Sequence, residues 1–192
     1  MSQPILVCGF PRCGSSLMMR ILWAGGVPVY ADNFASFEHG DLEGPQDMRA
    51  ILPRLYGKAA KVLDPQRNTW PDRLDAKVIL LDRTPREQAK SQIKFLREIS
   101  VLDINRQAWR PIERSLMIDR TKVRILFAEL EADVLPVRFE LLIEHPNDVI
   151  GRVSEFLRMP FAVDDLSSIV VKRSPSCAPN CAIELAALAR TA

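Results

Sequence analysis

The sequence predicts an α/β fold, and three observations carry that expectation. Strand signals and helix signals alternate along the chain, as they do in successive βαβ units with a mainly parallel sheet. The first strand signal, Pro4-Ile5-Leu6-Val7-Cys8, is an uninterrupted apolar run, as a strand covered on both faces requires. It leads into Gly9-Phe10-Pro11-Arg12-Cys13-Gly14-Ser15-Ser16, a glycine-bounded turn before a helix, where backbone N–H groups converge on an anion. The expected architecture is a P-loop three-layer sandwich, its mainly parallel central sheet flanked by helices, in a single domain over residues 1–192.

The elements follow in order. Leu17, Met18, Ile21 and Leu22 give the first helix an inner face at spacings of three and four, and Gly25-Gly26 stops it. Residues 27–30 read as a second, short strand, 31–45 as loop and 46–55 as a helix. Strands are expected at 59–63 and 77–82, the latter reading Lys-Val-Ile-Leu-Leu-Asp. Thr84-Pro85-Arg86-Glu87 opens the next helix, with Thr84 as cap, Pro85 in the first turn and Glu87 completing a capping box. Ala89, Ile93, Leu96 and Ile99 form its apolar stripe. A long helix over 111–132 and a last strand over 134–139 follow. Pro146 begins an amphipathic helix, and residues from Val163 on read as two short helices around a Ser/Pro/Cys loop.

Composition limits the partners. The 192 residues are 47% hydrophobic and 26% charged, with a net charge of +2, too small to argue for nucleic acid or an anionic membrane. Arg20 interrupts the longest apolar run, well short of the ~20 residues of a membrane span. The start, Met1-Ser2-Gln3-Pro4, lacks the pattern of an export signal, so a cytoplasmic protein with reduced thiols is expected. Of the four cysteines, Cys8 reads as a small core hydrophobe, while Cys177 and Cys181 lack a second ligand pair for zinc. No metal site is expected.

The turn after the first strand is the strongest local signal. Gly9 and Gly14 permit a tight turn, Arg12 adds a positive charge, and Ser15 and Ser16 offer hydroxyls to the helix start or to a bound group. A nucleoside-triphosphate loop carries Gly-Lys-Ser/Thr, but Gly14 is followed by Ser15. The segment Pro11-Arg12-Cys13-Gly14-Ser15-Ser16 instead resembles the phosphosulfate loop of the sulfotransferase family, roughly Pro-Lys/Arg-Ser-Gly-Thr-Thr/Ser. That family uses 3′-phosphoadenosine 5′-phosphosulfate (PAPS). Arg83-Thr84-Pro85 after a strand, with Ser91 eight residues beyond Arg83, is similar to the family's 3′-phosphate motif. Arginine suits that task because its planar fork grips phosphate oxygens in pairs. Lys61-Val62-Leu63-Asp64-Pro65 is similar to the Lys-Thr-His-Leu-Pro segment, with Leu63 where the family has its catalytic histidine.

The resemblance implies a sulfotransferase moving a sulfuryl group from PAPS to a hydroxyl or amine of a small-molecule or carrier-borne acceptor, with no metal required. It implies that Arg12, Lys61 and the amides of Cys13 to Ser16 hold the phosphosulfate, and that Arg83 and Ser91 hold the 3′-phosphate. Lys172-Arg173 stands in for a C-terminal basic segment that the chain lacks. With Leu63 unable to accept a proton, the general base comes from Glu38 or His39 in the loop after residue 30, or from Asp64. Glu38 is preferred, with Phe37 expected to shield it and raise its pKa. Two other readings remain: a nucleotide kinase or NTPase with 78–82 as a Walker B strand, and a non-catalytic nucleotide-binding module.

Overall fold

The computed structural model describes residues 3–99 and 108–171. In chain order it contains β1 (Ile5–Gly9), α1 (Ser15–Ala24), α2 (Met48–Ile51), β2 (Ala59–Leu63), β3 (Lys77–Asp82), α3 (Pro85–Ile99), α4 (Trp109–Glu129), β4 (Asp133–Arg138), α5 (Phe139–Glu144), α6 (Pro146–Leu157) and α7 (Val163–Ser167). The four strands form one sheet in the order β2-β1-β3-β4, every pair parallel.

Side chains alternate across a strand, so each strand feeds two cores. Val7, Ile79 and Leu81 pack on one face with Met18, Ile21 and Leu22 of α1, Leu142 of α5 and Ile150 and Val153 of α6. Leu6, Cys8 and Val78 pack on the other with Met48 of α2, Ala89 of α3 and Val123 and Phe127 of α4. All five residues of β1 are buried. Burial on both faces is why that strand reads as a continuous apolar run, and it makes the domain a three-layer α/β sandwich.

Several elements depart from the sequence expectation. Residues 27–30 form only a single bridge, Val29 to Ala59, rather than a strand. Pro28 has no N–H to extend the ladder; its carbonyl accepts from Ala59 N at 2.7 Å, and Tyr30 N donates to Ala59 O at 2.7 Å. The helix expected over 46–55 is α2, capped by Asp47, followed by a 3₁₀ turn over Leu52–Leu55 that contains Pro53. A proline there removes an α-helical hydrogen bond and favours the tighter turn. The last strand ends at Arg138, and Phe139 starts a helix in place of finishing the strand.

The capping box before α3 does not form. Glu140 of α5 accepts from both Thr84 N and Thr84 Oγ1 at 2.8 Å, and Glu87 takes Lys90 at 3.0 Å. Leu96, expected on the buried stripe, is 39% exposed. β4 is an edge strand that buries only Val137 and carries Pro136 opposite Leu80. The expected second tail helix, Cys177, Cys181 and Lys172-Arg173 lie outside the described residues.

Gly14 is where the fold tolerates a side chain least. Its φ is +97°, and a Cβ there would meet Phe139 Cδ2 at 2.5 Å. Gly14→Ala should cost about 2–4 kcal/mol, combining left-handed strain with overpacking. Gly26, at φ +84° with nothing within 4 Å of a Cβ, should lose only about 1 kcal/mol on the same change. Urea unfolding of both variants measures the difference.

Candidate active site

In parallel α/β sheets ligands collect outside the carboxyl ends of the strands. β1, β2 and β3 all end at one rim, where Asp64 N donates to Gly9 O at 2.9 Å. Gly9 lets the chain turn there, since a Cβ would lie 2.7 Å from Cys13 Sγ and 3.0 Å from Leu81 O.

The turn from Gly9 to Ser16 is built by two left-handed residues, Arg12 at φ +70° and Gly14 at φ +97°. Cys13 N closes it onto Phe10 O at 3.1 Å, so that amide serves the turn. Gly14 is the N-cap of α1, which has no side-chain cap, and its first-turn amides therefore have no intrahelical partner. Neither serine caps the helix. Ser15 is buried, and its N–H and hydroxyl face the Cys13 sulfur; burial pushes that thiol up, with these contacts and the Lys61 charge opposing. Ser16 Oγ donates to Ser36 O at 3.1 Å.

Arg83 leaves β3 at the same rim. Its Nη1 donates to Arg12 O at 3.0 Å, joining two motifs 71 residues apart in sequence. Both guanidinium groups lie on aromatic rings, Arg12 over Phe95 at 5.0 Å and Arg83 over Phe139 at 4.6 Å. α3 turns one face to the loop: Gln88 Nε2 donates to Phe10 O and Pro11 O, and Gln92 Nε2 to Pro11 O. Ser91 shares that face by helical spacing. It is 5% exposed, and its Oγ has no hydrogen-bond partner among the described residues.

Lys61 joins the Gly9–Ser16 loop to the next loop. It is 6% exposed in β2, and Nζ donates to Ser16 Oγ at 3.2 Å, Ser36 O at 3.0 Å and Glu38 Oε1 at 2.6 Å. Glu38 is pinned by its own backbone, its carbonyl accepting from Asp32 N and Asn33 N at 3.1 Å. Phe37 does not shield it: that ring is buried and packs against the exposed Trp23 and Phe34, whereas the Glu38 side chain is 43% exposed. His39 Nδ1 accepts from Asp41 N at 3.1 Å, which places the neutral ring's hydrogen on Nε2. The ring stacks on Tyr30 at 4.0 Å.

Glu38, His39, Lys61, Asp64, Arg67 and Pro11 line a cleft of about 300 Å³ beside the phosphate loop. Asp64 sits in it with left-handed backbone (φ 50°, ψ 52°), and burial raises its carboxyl pKa, with Arg67 opposing. Asp82, the aspartate of the Walker B reading, is held by Arg120 at 2.5 Å and Arg124 at 3.6 Å. Among the described residues no group of three or more His, Cys, Asp and Glu is placed to hold a metal, and no helix is long and apolar enough to cross a membrane.

The family model for the sulfotransferase domain matches residues 2–175. The chain belongs to the sulfotransferase family. This is a family of transferase enzymes, and solved structures share its fold. A retinol dehydratase in complex with retinol and PAP aligns at TM-score 0.59 and 16% identity, over 88% of this chain and 64% of that one. A sulfotransferase from Alicyclobacillus acidocaldarius aligns at TM-score 0.53 and 17% identity, over 100% and 92%. One from Mycobacterium avium aligns at 0.54 and 13%, over 88% and 67%. This sulfotransferase-family chain thus spans about two-thirds of the dehydratase's length. No curated protein matches the sequence.

Gln88, Gln92 and Ser36 went unmarked in the sequence because their roles are tertiary. One signal was available: Gln88, Ser91, Gln92 and Phe95 fall at helical spacings on a single face of α3.

Asp64 offers a test by stability. A carboxyl whose pKa is raised on folding costs stability as pH rises from the unfolded value through the folded one, and the cost is full above the folded value. Asparagine removes the charge and is also at ease in the left-handed region. Asp64→Asn should therefore raise Tm at pH 7, and the gain should vanish below the model-peptide value of 3.8. Thermal unfolding of both proteins across that range measures it.

Proposed function

We propose that this chain moves a sulfuryl group from PAPS to a hydroxyl or amine of a small-molecule or carrier-borne acceptor. One observation carries the reading: Arg83 lies against the Arg12 carbonyl, so two arginine motifs suited to two phosphates meet at one rim beside the Lys61–Glu38 pair. The PAP present in the retinol dehydratase structure is consistent with it.

In this reading Arg12 and the first-turn amides of α1 hold the 5′-phosphosulfate by preorganised charge, with no metal required. Arg83 and the buried Ser91 hydroxyl take the 3′-phosphate, with Lys172 and Arg173 as further contributors. The acceptor enters the cleft at Glu38 and His39. Its oxygen or nitrogen bonds to sulfur as the sulfur–oxygen bond to the 5′-phosphate breaks, and the electron pair leaves on the phosphate oxygen. The acceptor's proton goes to Glu38 Oε2, while Lys61 holds Oε1. His39 presents an Nε2 hydrogen, which suits it to orient the acceptor and leaves the base role to Glu38. The kinase reading is disfavoured because both Asp82 oxygens face arginines. The non-catalytic reading is disfavoured because a lysine-held carboxylate stands at the rim.

Adenosine 3′,5′-bisphosphate without Mg²⁺ should stabilise the protein by ~2.7 kcal/mol at a hundredfold excess over Kd. A larger, Mg²⁺-dependent shift with ATP and none with the bisphosphate would favour the kinase reading. Arg83→Ala should weaken the bisphosphate by roughly 1.5–3 kcal/mol and adenosine 5′-monophosphate far less. Equal losses would remove Arg83 from the 3′-phosphate.

Glu38→Gln should lower sulfuryl transfer by ~10²–10⁴-fold with bisphosphate affinity nearly unchanged. His39→Gln should act mainly on acceptor KM. Normal turnover in Glu38→Gln with loss in His39→Gln would reverse the two roles, and normal turnover in both would move the base to Asp64.

A further inference from the structure

Gln88 is fully buried, at 0% exposure, on a helix that no phosphate motif marks as special at that position. Its carboxamide is placed by every neighbour it has. Nε2 donates to Phe10 O at 3.1 Å and Pro11 O at 2.9 Å, and Oε1 accepts from Arg120 Nη2 at 3.3 Å. Arginine has only donors and the two carbonyls only accept, so the partners agree on one orientation of the amide. Arg120 in turn pairs with Asp82 at the end of β3. A continuous relay therefore runs from β3 through α4 and α3 to the backbone of the phosphate loop.

The two carbonyls at its end differ in what lies behind them. The peptide after Phe10 has no N–H, because its nitrogen belongs to Pro11. The peptide after Pro11 carries the N–H of Arg12. In a trans peptide the C=O and N–H point in opposite directions, so drawing Pro11 O towards α3 turns the Arg12 N–H away from α3. Gln92 Nε2 pulls on the same carbonyl at 3.0 Å. Arg12 itself is held at φ +70°, a conformation that a non-glycine residue adopts only where its surroundings over-determine it.

We propose that Gln88 is the positioning residue of the phosphate loop: its carboxamide, oriented by Asp82 through Arg120, fixes the Pro11–Arg12 peptide plane and with it the path by which the loop presents Arg12 and the first-turn amides of α1 to the bound anion. This deepens the proposed phosphosulfate site and rests on it. Gln88 touches no ligand atom and takes no proton, and its whole effect passes through the backbone of Pro11 and Arg12. Asp82 then acts as a buttress for an anion site.

The test compares wild type, Gln88→Leu, Gln88→Glu and Gln92→Ala by calorimetric titration with adenosine 3′,5′-bisphosphate, alongside thermal unfolding. Gln88→Glu keeps an acceptor for Arg120 but replaces the donor by oxygens that repel both carbonyls, so it separates aiming from folding. The expected result is at least tenfold weaker binding in Gln88→Leu and Gln88→Glu, with a higher KM for PAPS and kcat within threefold of wild type. Gln92→Ala should lose less, and its loss should grow in the Gln88→Leu background, because the two amides share one carbonyl. Should Gln88→Leu not fold, Gln88→Glu decides alone. If wild type binds the bisphosphate and folded Gln88→Glu binds it equally well, the positioning role is overturned while the proposed function stands. If wild type itself binds no bisphosphate, the proposed function falls, and this inference with it.

Discussion

A lysine ammonium inside a sheet is the constraint on which the rim depends. Lys61 lies in β2 in register with Val7 of the central strand, and burial denies it water. A buried charge is tolerated only where it is paired and fully hydrogen-bonded. An ammonium has three hydrogens, and here they go to a hydroxyl of α1, a carbonyl of the following loop and the carboxylate of Glu38. Satisfying one cation thus ties together β2, the phosphate loop and the 32–38 segment. Charge, loop conformation and the orientation of the candidate base are one problem with one solution.

The arginines obey a different logic. Arg12 and Arg83 hold their guanidinium carbons over the rings of Phe95 and Phe139, an attraction between cation and ring. Hydrogen bonds then run along the guanidinium edge, as the Arg83 contact with the Arg12 carbonyl does. Phe139 does double duty, because the same ring packs against Gly14 and forbids a side chain there. The start of α5 therefore shapes the Gly9–Ser16 loop without belonging to either motif.

What was legible in the sequence follows from where the information is stored. β1 announces itself because a parallel strand covered on two faces is apolar throughout, and β2 and β3 keep that pattern apart from Lys61 and the ends of β3. The Gly9–Ser16 turn and Arg83 stand out because the phosphate chemistry proposed for them needs fixed residue types at fixed spacing. The 27–30 and 46–55 segments misled because Pro28 and Pro53 act on hydrogen bonding, which an apolar pattern does not report. α5 was missed because it is six residues long, has no capping side chain and follows β4 without a break. Phe37 misled in the same manner: adjacency to Glu38 in sequence says nothing of which way a ring turns, and this one turns to Trp23. Gln88 was invisible because a buried glutamine on a polar-looking helix reads as surface until its partners are known.

The two outer strands of the sheet are finished differently, and this bears on how the molecule meets its own kind. β2 is partly roofed by the Val29 bridge, whose backbone bonds at Ala59 occupy groups a foreign strand would need. β4 has no such cover among the described residues but carries Pro136, a residue that withholds a donor from any ladder built on it. Unroofed strands are templates for sheet growth between molecules, and proline is one of the devices that blunts them. The chain thus guards against edge-to-edge polymerisation at both flanks, which leaves its helical faces as the surfaces through which copies could associate without propagating into fibres.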